Sequence, residues 1–151
     1  MRLELYDSKE LNFVELNITG GNDSYIRCDK ESKYIDSIVF NLFTPCFEQA
    51  NKLYEYYGPT KYNSRKLIPL RNELLKFRDA LASTQNSEEL SELVGGHFLG
   101  QEFLEEIESK RPGWQDNHEY VRDKLVSIAV DIIKLTELCA FEEKILWVIG
   151  Y

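Results

Sequence analysis

Apolar positions recur most regularly between His118 and Phe141. Val121, Leu125, Ile128, Ile132, Leu135 and Cys139 follow one another at steps of four and three, and Ala129, Ile133 and Leu138 widen the stripe. That period predicts a long amphipathic helix with a broad apolar face, against which the other elements must lie. Leu67, Leu70, Leu74, Phe77 and Leu81 predict a second helix to about Ser83, with Pro69 near its first turn. A short helix carrying Leu90, Leu93 and Val94 is capped by Asn86 or Ser87 and broken at Gly95-Gly96. A further one carries Phe103, Leu104 and Ile107 and stops at Pro112-Gly113. Asp116 and Glu119, three apart, have the spacing of a capping box for the central helix.

Both ends of the chain read as strands. Leu3 and Leu5 alternate with polar residues, and Val14, Leu16 and Ile18 alternate with Glu15 and Asn17, the period of a half-buried strand. Thr19-Gly20-Gly21-Asn22-Asp23 is turn chemistry, and Tyr25–Cys28 could close a hairpin. Lys144 to Tyr151 has the β-branched and aromatic content of a strand, with the N-terminal strands as partners. Lys33 to Tyr57 keeps a helical phase, which favours a helix that kinks at Pro45 or restarts with Thr44 as its cap. A strand over Asp36–Phe43 is the alternative. Gly58-Pro59-Thr60 would stop that helix, and the short connection to the next predicts an antiparallel pair. The expected architecture is one α+β domain over residues 1–151. It has four or five helices around Val121–Cys139 and a small antiparallel sheet from the N-terminal strands and the C-terminal strand.

Composition narrows the function. With 43% apolar residues among 151 the chain can fill a core, and its formal charge of -8 disfavours nucleic acid and anionic membranes as partners. The acidic N-terminus is not a usual signal peptide, and no run nears the roughly 18 apolar residues of a membrane span. Cys28, Cys46 and Cys139 are odd in number and widely spaced, so the sequence predicts a cytoplasmic protein with reduced thiols.

Candidate chemistry is sparse. His97 follows Gly95-Gly96, and His118 begins the central helix. Neither has metal-ligand spacing, and no nucleophile-elbow, phosphate-loop or dinucleotide pattern occurs, so no metal or cofactor is expected. A small enzyme using His97 or His118 with a nearby carboxylate remains an alternative, as does a structural self-association module built on the tyrosine-rich stretch around Gly58. Charge is more informative. Lys61, Arg65, Lys66, Arg71, Lys76 and Arg78 make one helix basic. Glu88, Glu89, Glu92, Glu102, Glu105, Glu106, Glu108, Asp116, Glu119 and Asp123 concentrate acid in the next segment. Such zones are solvated faces, pair with each other, or steer a basic partner. Trp114 stands amid the acid, either as an interface anchor or as a plug folded onto the core. Of the tyrosines around Gly58-Pro59, Tyr54 and Tyr57 fit a buried face, and Tyr56 and Tyr62 should show their hydroxyls to solvent.

Two segments resemble parts of small bacterial immunity-type proteins that neutralise toxins. Tyr56-Tyr-Gly-Pro-Thr60, followed by Leu70-Arg-Asn-Glu-Leu74 and Phe77, resembles their helix–Tyr-Gly-x-Thr–helix hairpin. Leu138-Cys139 with Leu146-Trp147-Val-Ile-Gly150 resembles their final helix and strand. The resemblance covers about a quarter of the chain. It implies a family that works by binding and supplies no contact residues. The expected function is therefore a non-enzymatic inhibitor that masks a basic toxin domain, such as a nuclease. Glu102, Glu105, Glu106, Glu108, Asp116, Glu119 and Asp123 would stand where substrate phosphates bind, with Trp114 or Tyr56 as anchor.

Overall fold

A computed structural model describes residues 1–8, 12–97 and 99–150. In chain order the elements are β1 (Phe13–Asn17), β2 (Lys33–Asp36), α1 (Ser37–Phe40), α2 (Thr44–Ala50), β3 (Pro59–Tyr62), α3 (Ser64–Ala82), α4 (Ser87–Gly95), α5 (Gly100–Lys110), a 3-10 turn at Trp114–Asn117, α6 (His118–Phe141) and β4 (Leu146–Gly150). The four strands form one antiparallel sheet in the order β2-β1-β4-β3, and the class is α+β as expected. Among the described residues no helix is long and apolar enough to cross a membrane.

The longest periodic run became the longest helix. α6 buries Val121, Leu125, Ile128, Ala129, Ile132, Ile133, Leu135 and Cys139, while Leu138 at the edge of the stripe is partly exposed. It packs most extensively against α3, whose Leu67, Leu70, Leu74, Phe77 and Leu81 are buried. Pro69 is the sixth residue of α3, a turn later than expected, and the helix continues through it. Val14, Leu16, Ile35, Tyr62, Leu146 and Val148 belong to the same core, so they mark the face of the sheet that meets the helices.

The opposite face is covered too. Glu15 and Asn17 are fully buried, so β1 is not the half-exposed strand its alternation suggested. Residues 18–32 fold back over it instead of pairing as a hairpin, and Tyr25–Cys28 is not a strand. Polar side chains hold this cover down. Asn17 Nδ2 donates to the Ile26 carbonyl at 2.8 Å. Glu15 Oε1 accepts from the Cys28 N–H at 2.9 Å and the Ser32 hydroxyl at 2.7 Å. Trp147 Nε1 donates to the Gly21 carbonyl at 2.9 Å. An ideal Cβ on Gly20 would lie 2.6 Å from the Trp147 ring, so the turn can close only with glycine there. Of the strand expected at Leu3–Tyr6, only Tyr6 pairs, through one bridge to Tyr34.

The helix expected from Lys33 to Tyr57 is not continuous. Its first residues are β2, a single turn of α1 follows, and α2 restarts at Thr44 with Pro45 in its first turn. Proline costs least there, because first-turn N–H groups have no intrahelical partner. Asn51 then ends α2. It leaves the helix with extended dihedrals, its Oδ1 accepts from the Leu53 N–H at 3.0 Å, and its Nδ2 donates to the Lys61 carbonyl at 3.2 Å. Those bonds favour a turn over another helical residue. Gly58-Pro59-Thr60, expected as a helix stop, leads instead into an edge strand at Pro59–Tyr62, so α2 and α3 are not the simple short-looped hairpin predicted. Tyr62 is fully buried, with its hydroxyl on the Phe47 carbonyl at 2.7 Å, while Tyr57 is 80% exposed, the reverse of the sequence expectation.

The capping box at Asp116 and Glu119 is not formed. Asn117 precedes α6 without a side-chain cap, because the 3-10 turn delivers the chain directly into the helix. Asn86 does cap α4, accepting from the Glu89 N–H at 2.8 Å.

Candidate binding surface

The acidic segment is presented by α4, α5 and the start of α6. On α5, Glu102, Glu105 and Glu106 lie three and four apart and form one stripe on the side away from buried Phe103 and Ile107. Glu102 and Glu105 are exposed, and Glu106 is half-buried with Lys110 at 3.9 Å. Glu108 is exposed on another side and accepts from Gln115 Nε2 at 3.1 Å. Asp116, Glu119 and Asp123 are exposed around the first turn of α6, where Asp123 meets Arg122 at 2.9 Å. Arg111 stacks over the Tyr120 ring at 4.0 Å, placing one cation inside this acidic zone.

The basic helix does not neutralise the acid. Arg71 pairs with Glu137 of α6 at 2.8 Å, Lys76 with Glu73 at 3.2 Å and Arg78 with Asp79 at 2.9 Å. Among the described residues no ion pair joins α3 to α4 or α5. Lys76 and Arg78 find partners on α3 itself and Arg71 finds one on α6, so the two zones stay separate.

Trp114 is not an exposed anchor. It is 6% exposed and belongs to the core, so it plugs the turn between α5 and α6. The αL conformation of Gly113 (φ 78°) turns the chain inward just before it.

Tyr56 and Glu102 meet, although 46 positions separate them in sequence. Both line a cleft of about 290 Å³ at the end of the sheet. Its walls include Ser37 and Asn41 on and after α1, Tyr57, and Leu99 before α5. The Tyr56 hydroxyl donates to Asn41 Oδ1 at 2.8 Å, and the Tyr56 and Tyr57 rings meet edge to face at 4.5 Å. Burial first, then the neighbouring Tyr57 and the Glu102 carboxylate, push the Tyr56 phenol above its usual range, and the Asn41 bond opposes them. Gly150 makes this geometry possible, since a Cβ there would lie 2.5 Å from the Tyr56 carbonyl. Leu99 is strained, with a bulky side chain at φ 57°. At 1.5 Å per residue α5 runs about 16 Å from this cleft toward the start of α6, with the acid stripe in its first half.

Neither histidine lines the cleft. His97 lies against the Phe77 ring at 4.8 Å. Burial pulls its pKa down, and a hydrogen bond with the Leu42 backbone acts the other way. His118 is 9% exposed, with Nδ1 3.4 Å from Glu119. One ring nitrogen of each, His97 Nδ1 and His118 Nε2, is buried without a hydrogen-bond partner. Among the described residues no group of three or more His, Cys, Asp or Glu could hold a metal ion. Burial pushes the Cys46 thiol up to about 12 and Cys139 to about 11, so both stay protonated at neutral pH.

Sequence reasoning missed Ser37, Asn41 and Tyr57 in this cleft. Their proximity comes from the break between β2 and α1 and from the loop after α2, neither of which the apolar pattern encodes. No protein-family model matches the chain, and neither does any curated protein or solved structure.

Proposed function

We propose that this chain is a non-enzymatic acidic binding protein of the immunity or antitoxin kind, which masks a basic domain such as that of a toxin nuclease. One observation supports the reading above the others. The acid of α5 and early α6 remains solvent-facing and is not paired with the protein's own basic helix. An exposed field of one sign accelerates encounter with a partner of the other sign and orients it. Carboxylates on such a face occupy the places that phosphates would take in a nuclease cleft.

The test uses a tagged protein to capture a basic partner and then measures association rates across a salt series. Lysine replaces Glu105, Glu108 and Asp116 together, all exposed and all outside the cleft. The expected result is a partner whose activity is lost when bound, and an association rate that falls about tenfold or more in the triple variant at low salt. An association rate unchanged by the triple reversal and by salt would remove the electrostatic reading.

A further inference from the structure

We infer that the outer face of the α3–α6 pair is a self-association surface, whose occupant is a second copy of this chain related by a two-fold axis. It does not rest on the binding reading above, because the acid stripe lies on α5 and this face on α3 and α6.

The two helices run antiparallel. Arg71 meets Glu137 at 2.8 Å toward one end, and Arg122 Nη1 reaches the Thr84 carbonyl at 3.5 Å at the other. A step of one turn from Arg71 or Glu137 stays on the same flank of its helix. In one direction lie Ile68 and Phe141. Ile68 is 50% exposed and Phe141 89%, the highest of any large apolar side chain among the described residues. In the other direction Leu75, Val126 and Val130 are half-buried and continue the strip. The fold therefore leaves an apolar strip open along this helix pair, crossed by one ion pair.

Charge selects the occupant. With the cation on α3 and the anion on α6, the strip is its own complement under one operation. A two-fold axis parallel to the helices lays α3 of one copy on α6 of the other. Arg71 then faces the partner's Glu137, and Ile68 faces the partner's Phe141. The result is a bundle of four antiparallel neighbours. A two-fold axis across the helices would instead set Arg71 on Arg71 and Glu137 on Glu137, which repulsion disfavours. From Ile68 to Ala82 α3 runs about 21 Å, and two helices side by side are about 20 Å wide, so each copy offers about 400 Å². That is about half of a standard interface and sets a weak dimer, with a Kd of about 100 µM. At physiological salt the net charge of -8 is screened beyond about 8 Å, whereas groups in contact across the strip are not.

Sedimentation velocity of the full chain, from about 10 µM to about 1 mM, tests this. The mean mass should rise from 17.7 kDa toward twice that value across the series. Arg71→Glu and Glu137→Arg, each alone, should weaken self-association about tenfold or more. Each breaks an exposed ion pair, so both should melt close to the parent. Mixed in equal amounts, the two variants should associate again, because two carboxylates on one chain then face two guanidinium groups on the other. Phe141→Ser should weaken the dimer about fivefold and leave the melting temperature unchanged. A chain that stays monomeric at about 1 mM would overturn the inference. So would a mixture that stays monomeric, since the ion pair would then matter only within one chain. Self-association that survives both reversals would place the interface elsewhere and overturn it too. The association rate with a basic partner is a separate measurement, and its outcome leaves this one standing.

Discussion

Replacing Glu15 should be among the most damaging single changes in this protein, although the residue sits on what reads as the polar side of a strand. Its carboxylate is fully buried in the central strand, under residues 18–32. Oε1 accepts from the Ser32 hydroxyl at 2.7 Å, the Cys28 N–H at 2.9 Å and Asn17 Nδ2 at 3.2 Å. Cys28 is held at φ 52°, in the left-handed region, so the bond to its amide also fixes an unfavourable backbone. Hydrogen bonds to a charged group contribute about 1.5–3 kcal/mol each, but contributions that share one acceptor are not additive. Glu15→Ala leaves the donors facing a cavity that water partly fills, and about 3–5 kcal/mol is the expected loss. Glu15→Gln keeps an acceptor oxygen in place and loses only the charge, for about 1–2 kcal/mol. Urea unfolding measures both. With a slope of about 2 kcal/mol/M, the alanine variant's midpoint should fall by about 2 M and the glutamine variant's by under 1 M. Amide exchange should quicken at Cys28 in the alanine variant. An alanine variant within about 1 kcal/mol of the parent would refute the claim that this carboxylate pins the loop. Equal losses in the two variants would show that charge, not the acceptor, carries the effect.

Other changes probe the remaining structure. Trp114→Ala should cost about 3–5 kcal/mol by thermal or urea unfolding, as for a large core residue, whereas an exposed anchor would lose binding and leave stability nearly untouched. Gly100→Ala should be destabilising, because its Cβ would lie 1.9 Å from the Val94 carbonyl. Calorimetry showing an unchanged melting temperature would mean that α4 and α5 separate freely. His97 has a folded pKa below its unfolded value near 6.5, so the unfolded chain takes up its proton first on acidification. Its contribution is therefore complete above about pH 6.5 and lost as the pH falls toward the folded value. His97→Gln should flatten that part of a stability–pH profile measured by urea unfolding.

What the sequence revealed follows from where each element's partners lie. α6 was legible because its apolar stripe runs from Val121 to Cys139 through a 24-residue helix and faces the core on one side only. The same held for α3, where five apolar residues at steps of three and four are all buried. β2 and α1 were illegible for the opposite reason. Tyr34, Ile35, Val39, Phe40, Leu42 and Phe43 are all buried, some against the helices and some under the N-terminal segment. A stretch enclosed on several sides shows no single period, and its apolar residues fit helix and strand alike. β3 was missed because Gly58-Pro59 carries a stop signal and the strand is only four residues long. Its place on the sheet edge, where a proline is tolerated, depends on β4 being adjacent in space.

The candidate surface divides along the same line. Acid on α5 was visible because exposed carboxylates recur along one helix, a local property. Which aromatic side chains stay at the surface was not, since Trp114 is buried and Tyr57 exposed. Trp114 is drawn inward by the left-handed turn at Gly113, while Tyr57 is turned outward when Asn51 ends α2 and diverts the loop. The sequence offered Trp114 or Tyr56 as anchor, and both are withdrawn from the surface, Trp114 into the core and Tyr56 to half-burial. Tyr57 is the exposed ring, and it lines the cleft together with Glu102. The acidic helix and the aromatic loop come from segments with no shared pattern, and they adjoin because both reach the same end of the sheet, where Gly150 lets the Tyr56 backbone approach β4 to within a distance that a Cβ would forbid. A larger residue at position 150 should therefore displace the Tyr56–Tyr57 loop and open the cleft without touching a single charge. That would separate the contribution of the acid field from the contribution of the shaped site.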